Sequence, residues 1–332
     1  MAVKNSKSIV TRGILQNVSQ KYKNMEYVAD QLFPIIDGVS RKTQVTKYHK
    51  GPWFADSAEP RGPGASAVML EYGFSLQNLT PVNYAAGAKV TDEERRDAEE
   101  SNSAAIQPDM DALELIADKL DLKREVRASA ILHATNWSAV GAGGEDADGH
   151  WGDGTAANDT FLADIRNGRD TIRKNTGIMP NTLFLDYVAF SKLQVAPALI
   201  SMLYPTTVSG NGPLISKQML ANLAMVNEVI VGTAVKTSDE ETVAGTEFTA
   251  VDVWASSGKG IGFLYYKPAR TGLKVASAGY QYRLIQDNGA PRLSTTWRDD
   301  ARHSDAYDTQ EEVDIAAVGL DLGYMWKDTA TT

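Results

Sequence analysis

Cysteine is absent from the sequence. That excludes disulfides, thiolate nucleophiles and every Cys-ligated zinc or iron–sulfur centre. Histidine is scarce: His49, His133, His150 and His303 are the four, and none stands in HExxH or another metal-ligand spacing. No run approaches the ~18 apolar residues that would span a bilayer. The opening stretch, MAVKNSKSIVTRGILQNVSQKYK, has lysines but no continuous apolar block and no small-residue cleavage site, which argues against a secretory signal. Basic charge is also short. Lys and Arg number 33 against 42 Asp and Glu, a net of −9, the reverse of the balance a duplex-DNA reader needs.

Catalytic signatures are missing too. There is no GxSxG nucleophile elbow and no P-loop. GKGIG at 258–262 precedes a strand pattern instead of opening a helix, so it reads as a turn rather than a dinucleotide fingerprint. Asp146, Asp148 and Asp153 lie in a Gly-rich loop without EF-hand spacing or a closing Glu, and read as an acidic turn. His133, inside a long helical pattern, reads as a hydrogen-bonded structural histidine. Arg298, Asp299, Asp300, Arg302, His303 and Asp305 read as a charged turn, with nothing to mark a pocket for acid–base chemistry. No catalytic, cofactor-binding or metal-binding residue is assigned.

What the sequence does contain is an ordinary globular composition, 43% hydrophobic and 23% charged over 332 residues, enough for about two domains. Charge is unevenly placed. Residues 1–25 hold five basic residues, Lys4, Lys7, Arg12, Lys21 and Lys23, and no acidic one. Residues 91–125 hold twelve acidic and five basic, a net of −7. Such segments can meet between neighbouring subunits or stand as separate solvated faces, and both readings stay open.

Residues 1–25 read as an extended arm with a short helix near 8–21. The apolar phrase YVADQLFPII (27–36), broken by Pro34, reads as its anchor on a globular body. Residues 40–54 and 68–86 are rich in Thr, Val, Tyr and aromatics, and VTKYHK and MLEYGFSL alternate as strands do. With a Pro/Gly tip between them, the pair predicts a long hairpin. Thr91 followed by Glu94 fits a capping box that opens a short acidic helix. Pro108, with Asp109 and Asp111 in the first turn, opens the longest helical pattern, about 108–136. Leu113, Ile116, Ala117 and Leu120 form its apolar stripe, which Val126, Ala130 and Ile131 resume, and its length would be roughly 40 Å.

A Gly/Asp loop at 138–158 follows, then a second helix from near Asp159 to Lys174, ended by Gly177. From 178 to 290 short elements alternate. NTLFL, MVNEVIVG, TAVDVWA, GIGFLYY and GLKVASAGYQYRLI read as strands, and DYVAFSKLQ, PALISMLY and SKQMLANL as helices. Residues 292–326 read as a long antiparallel pair, RLSTTWRDDA and YDTQEEVDIAAVGLDLGYMW. The sum predicts an α+β fold in two lobes. One lobe holds the long helix, the second helix and the C-terminal pair, and the other is the insert at 178–290.

Trp53 and Phe54 stand beside the tip Glu59-Pro60-Arg61-Gly62-Pro63-Gly64, where neither helix nor core strand can form. Covering such a ring buries ~150–250 Å², roughly 4–6 kcal/mol as an upper bound at ~25 cal/mol per Å². A neighbouring subunit would supply that cover, and tucking back onto their own domain is the competing reading. Arm, hairpin and long helix together describe a building block that interlocks with its copies.

The order of parts resembles the major capsid proteins of tailed bacteriophages, which share the Hong Kong phage-type capsid fold. VADQLFPIIDGVSRKTQVTKY (28–48) resembles that family's passage from N-terminal arm into extended loop, and WFADSAEPRGPGASA (53–67) its loop tip. VTDEERRDAEE (90–100) and LIADKLDLKREVRASAIL (115–132) resemble the lead-in and the long spine helix. The resemblance implies an N-terminal arm at 1–40 and an extended loop at 41–88. It further implies a peripheral domain at 89–177 and 291–328, with the spine helix at about 108–136, and an axial domain at 178–290.

It also implies self-assembly, as hexamers and pentamers, into an icosahedral head made in the bacterial host cytoplasm. The head encloses double-stranded DNA without reading its sequence. Further expected partners are a portal protein and a separate scaffolding or decoration protein, and no membrane is involved. No motif for Lys–Asn cross-linking carries over, so no covalent cross-links are expected. The subunit-interface candidates are Trp53, Phe54, Glu59, Arg61, Arg12, Lys21, Lys23, Arg298, Asp300 and Arg302. Two rivals remain: an encapsulin-like nanocompartment shell, and a soluble hydrolase with an unrecognised site.

Overall fold

A computed structural model describes residues 23–100, 107–133, 137, 144–153, 159–204, 213–237, 249–255, 258–272, 275–286 and 289–330. The expected helix near 8–21 lies outside them. Helix α1 (Ala29–Leu32) leads through Pro34 to strand β1 (Ile35–Asp37). Val28, Ala29, Leu32 and Phe33 are buried in the interior, so the anchoring phrase is itself core.

The expected hairpin is present but shorter. Strands β2 (Gln44–Tyr48) and β3 (Phe74–Asn78) pair antiparallel, and Gly51–Phe54, expected as strand, forms a single helical turn, α2. Pro52 in that turn has no amide to give a ladder, which breaks the strand before the tip. The second run, expected as one strand over 68–86, divides after β3. Its remainder becomes β4 (Val82–Thr91), which joins another sheet.

Helix α3 (Asp92–Glu100) starts on the expected capping box. The Glu94 amide donates to Thr91 Oγ1 and the Thr91 amide to Glu94 Oε2, both at 3.2 Å. Helix α4 (Pro108–His133) is the long helix, 26 residues from its proline start, and it lies across β4 and the C-terminal strands. Strand β5 (Gly144–Asp146) falls inside the segment expected as loop. Next come α5 (Phe161–Thr176), closed by Gly177 at φ 69°, and β6 (Thr182–Asp186). Helices α6 (Tyr187–Gln194), α7 (Pro197–Leu203) and α8 (Lys217–Ala224) follow, the first capped by Asp186 and the last by Ser216.

Strands β7 (Glu228–Gly232), β8 (Val235–Lys236), β9 (Val251–Asp252), β10 (Gly262–Tyr265) and β11 (Gly279–Arg283) complete the middle. The phrases TAVDVWA and GLKVASAGYQYRLI thus supply much shorter strands than expected. The C-terminal pair is β12 (Arg292–Asp299) against β13 (Ser304–Ala317). The second strand of that pair does not continue to residue 326. A 3-10 turn at Leu320–Leu322 redirects the chain, and β14 (Gly323–Lys327) enters a different sheet.

Among the described residues two five-stranded sheets result, β1-β11-β13-β12 with β4 along the opposite edge of β13, and β5-β14-β10-β6-β7. The second is covered on both faces, which explains the unbroken apolar runs of β6 and β10. Leu183, Leu185 and Leu264 meet Trp151, Phe161, Ile165, Ile172 and Trp326 on one side. Phe184, Ile230, Phe263 and Met325 meet Ala128, Leu132, Val313 and Ile315 on the other. Helix α5 packs in the first of these clusters and α4 in the second. Strands from both sides of 178–290 join the second sheet, and one interior cluster includes residues of both sheets.

Candidate assembly surface

Between β2 and β3 the chain leaves the body as a ribbon. From Gly51 to Leu76 every residue is exposed except Ser57 and Gly73. A two-stranded ribbon is marginal in water unless something covers it. Trp53 is 64% exposed and Phe54 63%, and Met69, Leu70, Tyr72, Phe74 and Leu76 are exposed as well. Tyr48, Trp53 and Tyr72 form a ring cluster with centroids 6.1–6.3 Å apart. With Lys50 and Phe54 they line an open groove.

The root of the ribbon touches its own body. Lys50 Nζ donates to Asp321 Oδ2 at 2.6 Å and to the Asn175 carbonyl at 3.2 Å. One edge of Phe54 lies over Gly177, where an added Cβ would sit 3.1 Å from Cε1. An edge of Phe54 thus tucks back onto the body, while most of both rings faces outward.

The charged turn between β12 and β13 is satisfied largely within the chain. Arg298 holds Asp92 in a fork at 2.7 and 2.5 Å and reaches Asp305 at 3.3 Å. Arg95 ties Asp305 at 2.6 Å and Asp109 at 2.7 Å, and Tyr307 donates to Asp109 at 2.9 Å. The hydrogen bonds of Arg298 hold Asp92, and those of Arg95 hold Asp109, below the usual carboxylate range.

A third region lies where the N-terminal segment meets α4. The Glu125 carboxylate is fully buried. It accepts the Val28 amide at 3.0 Å, the Ala29 amide at 2.8 Å and Trp254 Nε1 at 2.8 Å. Burial outweighs these donors and pushes its pKa up. Next to it, Arg124 reaches Asp30 at 3.0 Å and Glu311 at 2.6 Å, and Glu311 also accepts Arg292 Nε at 2.8 Å. Burial pushes Glu311 up, but Arg124 and Arg292 outweigh it and leave its pKa below the ordinary value. Among the described residues no group of His, Asp and Glu could hold a metal ion, and no helix is long and apolar enough to cross a membrane.

No family model matches the chain. The major capsid protein of Burkholderia phage BcepMu is 22% identical over 265 residues, 76% of each chain. A phage-related protein from Bordetella bronchiseptica superposes with TM-score 0.67 at 22% identity, over 93% of this chain and 94% of that one. The capsid structure of cyanophage P-SCSP1u does so with TM-score 0.61 at 9% identity, over 96% and 93%. The chain has the phage-capsid fold. An encapsulin from Synechococcus elongatus also superposes, with TM-score 0.52 at 9% identity, over 100% and 97%.

Within this capsid fold the candidate interface residues separate by place. Trp53, Phe54, Glu59 and Arg61 are on the exposed ribbon and Lys23 is exposed at the start of the described chain. Arg298, Asp300 and Arg302 share the charged turn, with Arg298 engaged internally and Asp300 and Arg302 exposed. Arg12 and Lys21 lie outside the described residues. Sequence reasoning missed Tyr48 and Tyr72, the partners of Trp53. Their signal was present: two alternating runs rich in rings flank a tip that has no body of its own.

Proposed function

We propose that the chain is the major capsid protein of a tailed phage, with copies closing into an icosahedral head around double-stranded DNA. The observation that carries this is the ribbon: a row of exposed rings and aliphatic side chains on a body with the phage-capsid fold. Apolar surface arranged this way marks a contact with another protein, and a shell of identical chains offers that contact at every subunit. In this reading the ribbon is the extended loop laid over a neighbour, and α4 is the spine helix of the peripheral domain. The sheet containing β6, β7 and β10 belongs to the axial domain, whose tips meet at the five- and six-fold positions. A portal and a scaffolding or decoration protein are its partners in this reading, and assembly takes place in the host cytoplasm.

Light scattering and negative-stain microscopy of the expressed protein test the reading. Closed particles of uniform diameter are expected. A species of one or two chains under every solution condition overturns it. Particle contents separate the remaining shell type: genome-length DNA in particles from infected cells fits the phage head, and an enclosed enzyme fits a nanocompartment.

A further inference from the structure

The ribbon is attached to the body at two levels. At its base, Val45 and Leu79 pack with Tyr280, Tyr282 and Ala316. There the Thr80 amide also donates to Asp314 at 2.9 Å, and Arg41 Nε donates to Glu312 at 2.9 Å. The second level lies past the far end of β2, at Lys50 and Phe54. Local structure brings these two together. Pro52 suits the first turn of a helix, and the turn Gly51–Phe54 is closed by the Ala55 amide on the Gly51 carbonyl at 3.0 Å. Residues four apart on such a turn lie side by side. Trp53 is set further round it, against Tyr48 and Tyr72.

Two elements build the receiving surface. Lys50 Nζ meets the Asn175 carbonyl in the last turn of α5, the negative end of the helix dipole. It also meets Asp321, on the 3-10 turn that packs beside α5. Phe54 lies over Gly177, which ends α5 at φ 69°. The glycine that the left-handed turn favours therefore also clears a seat for the ring. This attachment is weak. The side chains of Lys50 and Asp321 are 49% and 51% exposed. Exposed ion pairs shift an equilibrium by at most about fivefold, and salt screens them. Lys50 and Phe54 also line the aromatic groove, so the shape of the groove depends on the same contacts.

We propose that Lys50 and Phe54 form a releasable latch. Seated on the end of α5 and on Asp321, they hold the ribbon in one pose and preform the groove for the protein that covers it. Released, they let the ribbon swing on its base. A groove present in only a fraction of molecules binds its partner more weakly by that fraction. The use of the groove in assembly rests on the shell-subunit reading above, and the latch itself does not.

The lack of cysteine allows a direct test. Glu71 on the ribbon and Asn167 on α5 are exposed, so Glu71→Cys with Asn167→Cys places a spin label on each side of the latch. Pulsed EPR distances are measured below the concentration at which shells appear, in this labelled chain and with Asp321→Asn or Lys50→Met added. The labelled chain should give one dominant distance. The ratio of latched to released molecules should fall about threefold with Asp321→Asn and about fivefold with Lys50→Met. Raising salt from about 0.1 M to about 1 M shortens the Debye length from ~10 Å to ~3 Å. That should release the labelled chain likewise and leave Lys50→Met unmoved. Melting temperatures should stay within a few degrees, as for other exposed substitutions. Asp321 is outside the groove, so Asp321→Asn in the unlabelled chain should raise the concentration at which shells appear through the latch alone, by up to about threefold.

Distances that neither variant shifts, a salt response that persists in Lys50→Met, or released ribbons whose shells appear at the wild-type concentration would each overturn the proposal. A wild-type chain that forms no shells is a different failure. It removes the assembly reading and leaves the distances to decide the latch.

Discussion

Asp186 and Glu311 are both buried carboxylates, yet their surroundings drive them in opposite directions. Glu311 faces two guanidinium groups. Asp186 meets only neutral donors, the amides of Val188, Ala189 and Ile261. Burial therefore prevails and pushes Asp186 up to about 6. A carboxyl raised in the folded state favours folding fully below its unfolded pKa near 4, and that contribution is lost as pH rises through about 6. Asp186→Asn removes the titration and keeps a helix cap. The stability difference should shift toward wild type by about 2–3 kcal/mol between pH 7 and pH 4. Urea unfolding of both proteins across that window measures it, and a gap that does not move with pH refutes the assignment. The sequence suggested Asp186 only as the first residue of a helix. The Ile261 amide comes from the residue before β10, far along the chain, and no local pattern announces it. Tryptophan shows the same limit. Trp53 was marked by its Pro/Gly neighbours, whereas Trp137, Trp151, Trp254 and Trp326 are fully buried in segments without a local sign of it.

Element ends were readable because their chemistry is local: the Thr91–Glu94 box, the proline start of α4, Gly177 in the left-handed region. Element partners were not. Alternation identifies a strand but not the sheet it joins, so by sequence alone β14 reads as the continuation of β13. Amphipathicity likewise did not tell which body α5 would cover. A glycine within α5 records the answer. Gly168 faces Trp326 of β14, and a Cβ there would sit 2.7 Å from Cζ2 and Cη2. Alanine favours a helix over glycine by about 1 kcal/mol, but forcing the indole aside costs about 1–3 kcal/mol. Gly168→Ala is therefore expected to lower the denaturation midpoint despite its better helix propensity. A raised midpoint would mean that Trp326 yields freely.

Taken whole, the molecule combines a well-filled body with a ribbon that has almost no interior of its own. The resemblance to capsid subunits was legible in the order of phrases, since arm, loop tip and long helix each carry a composition tied to their exposure. The joining of the two sheets was not, because it depends on contacts between distant strands. Changing Trp53 and Phe54 together to Ser should leave the melting temperature of the unassembled chain within a few degrees while the yield of shells falls at least about tenfold. An equal loss of folding and assembly would place both rings in the subunit's own support.

The interior that joins the sheets bears on how such a block could fit positions of differing curvature. Phe184, Ile230 and Phe263 from one sheet pack in the same cluster as Val313 and Ile315 from the other. Halves fused in this way cannot hinge without opening a dry seam, and close-packed interiors resist that. The body then behaves as a stiff tile, and in the proposed shell any adjustment between subunit positions falls to the exposed ribbon.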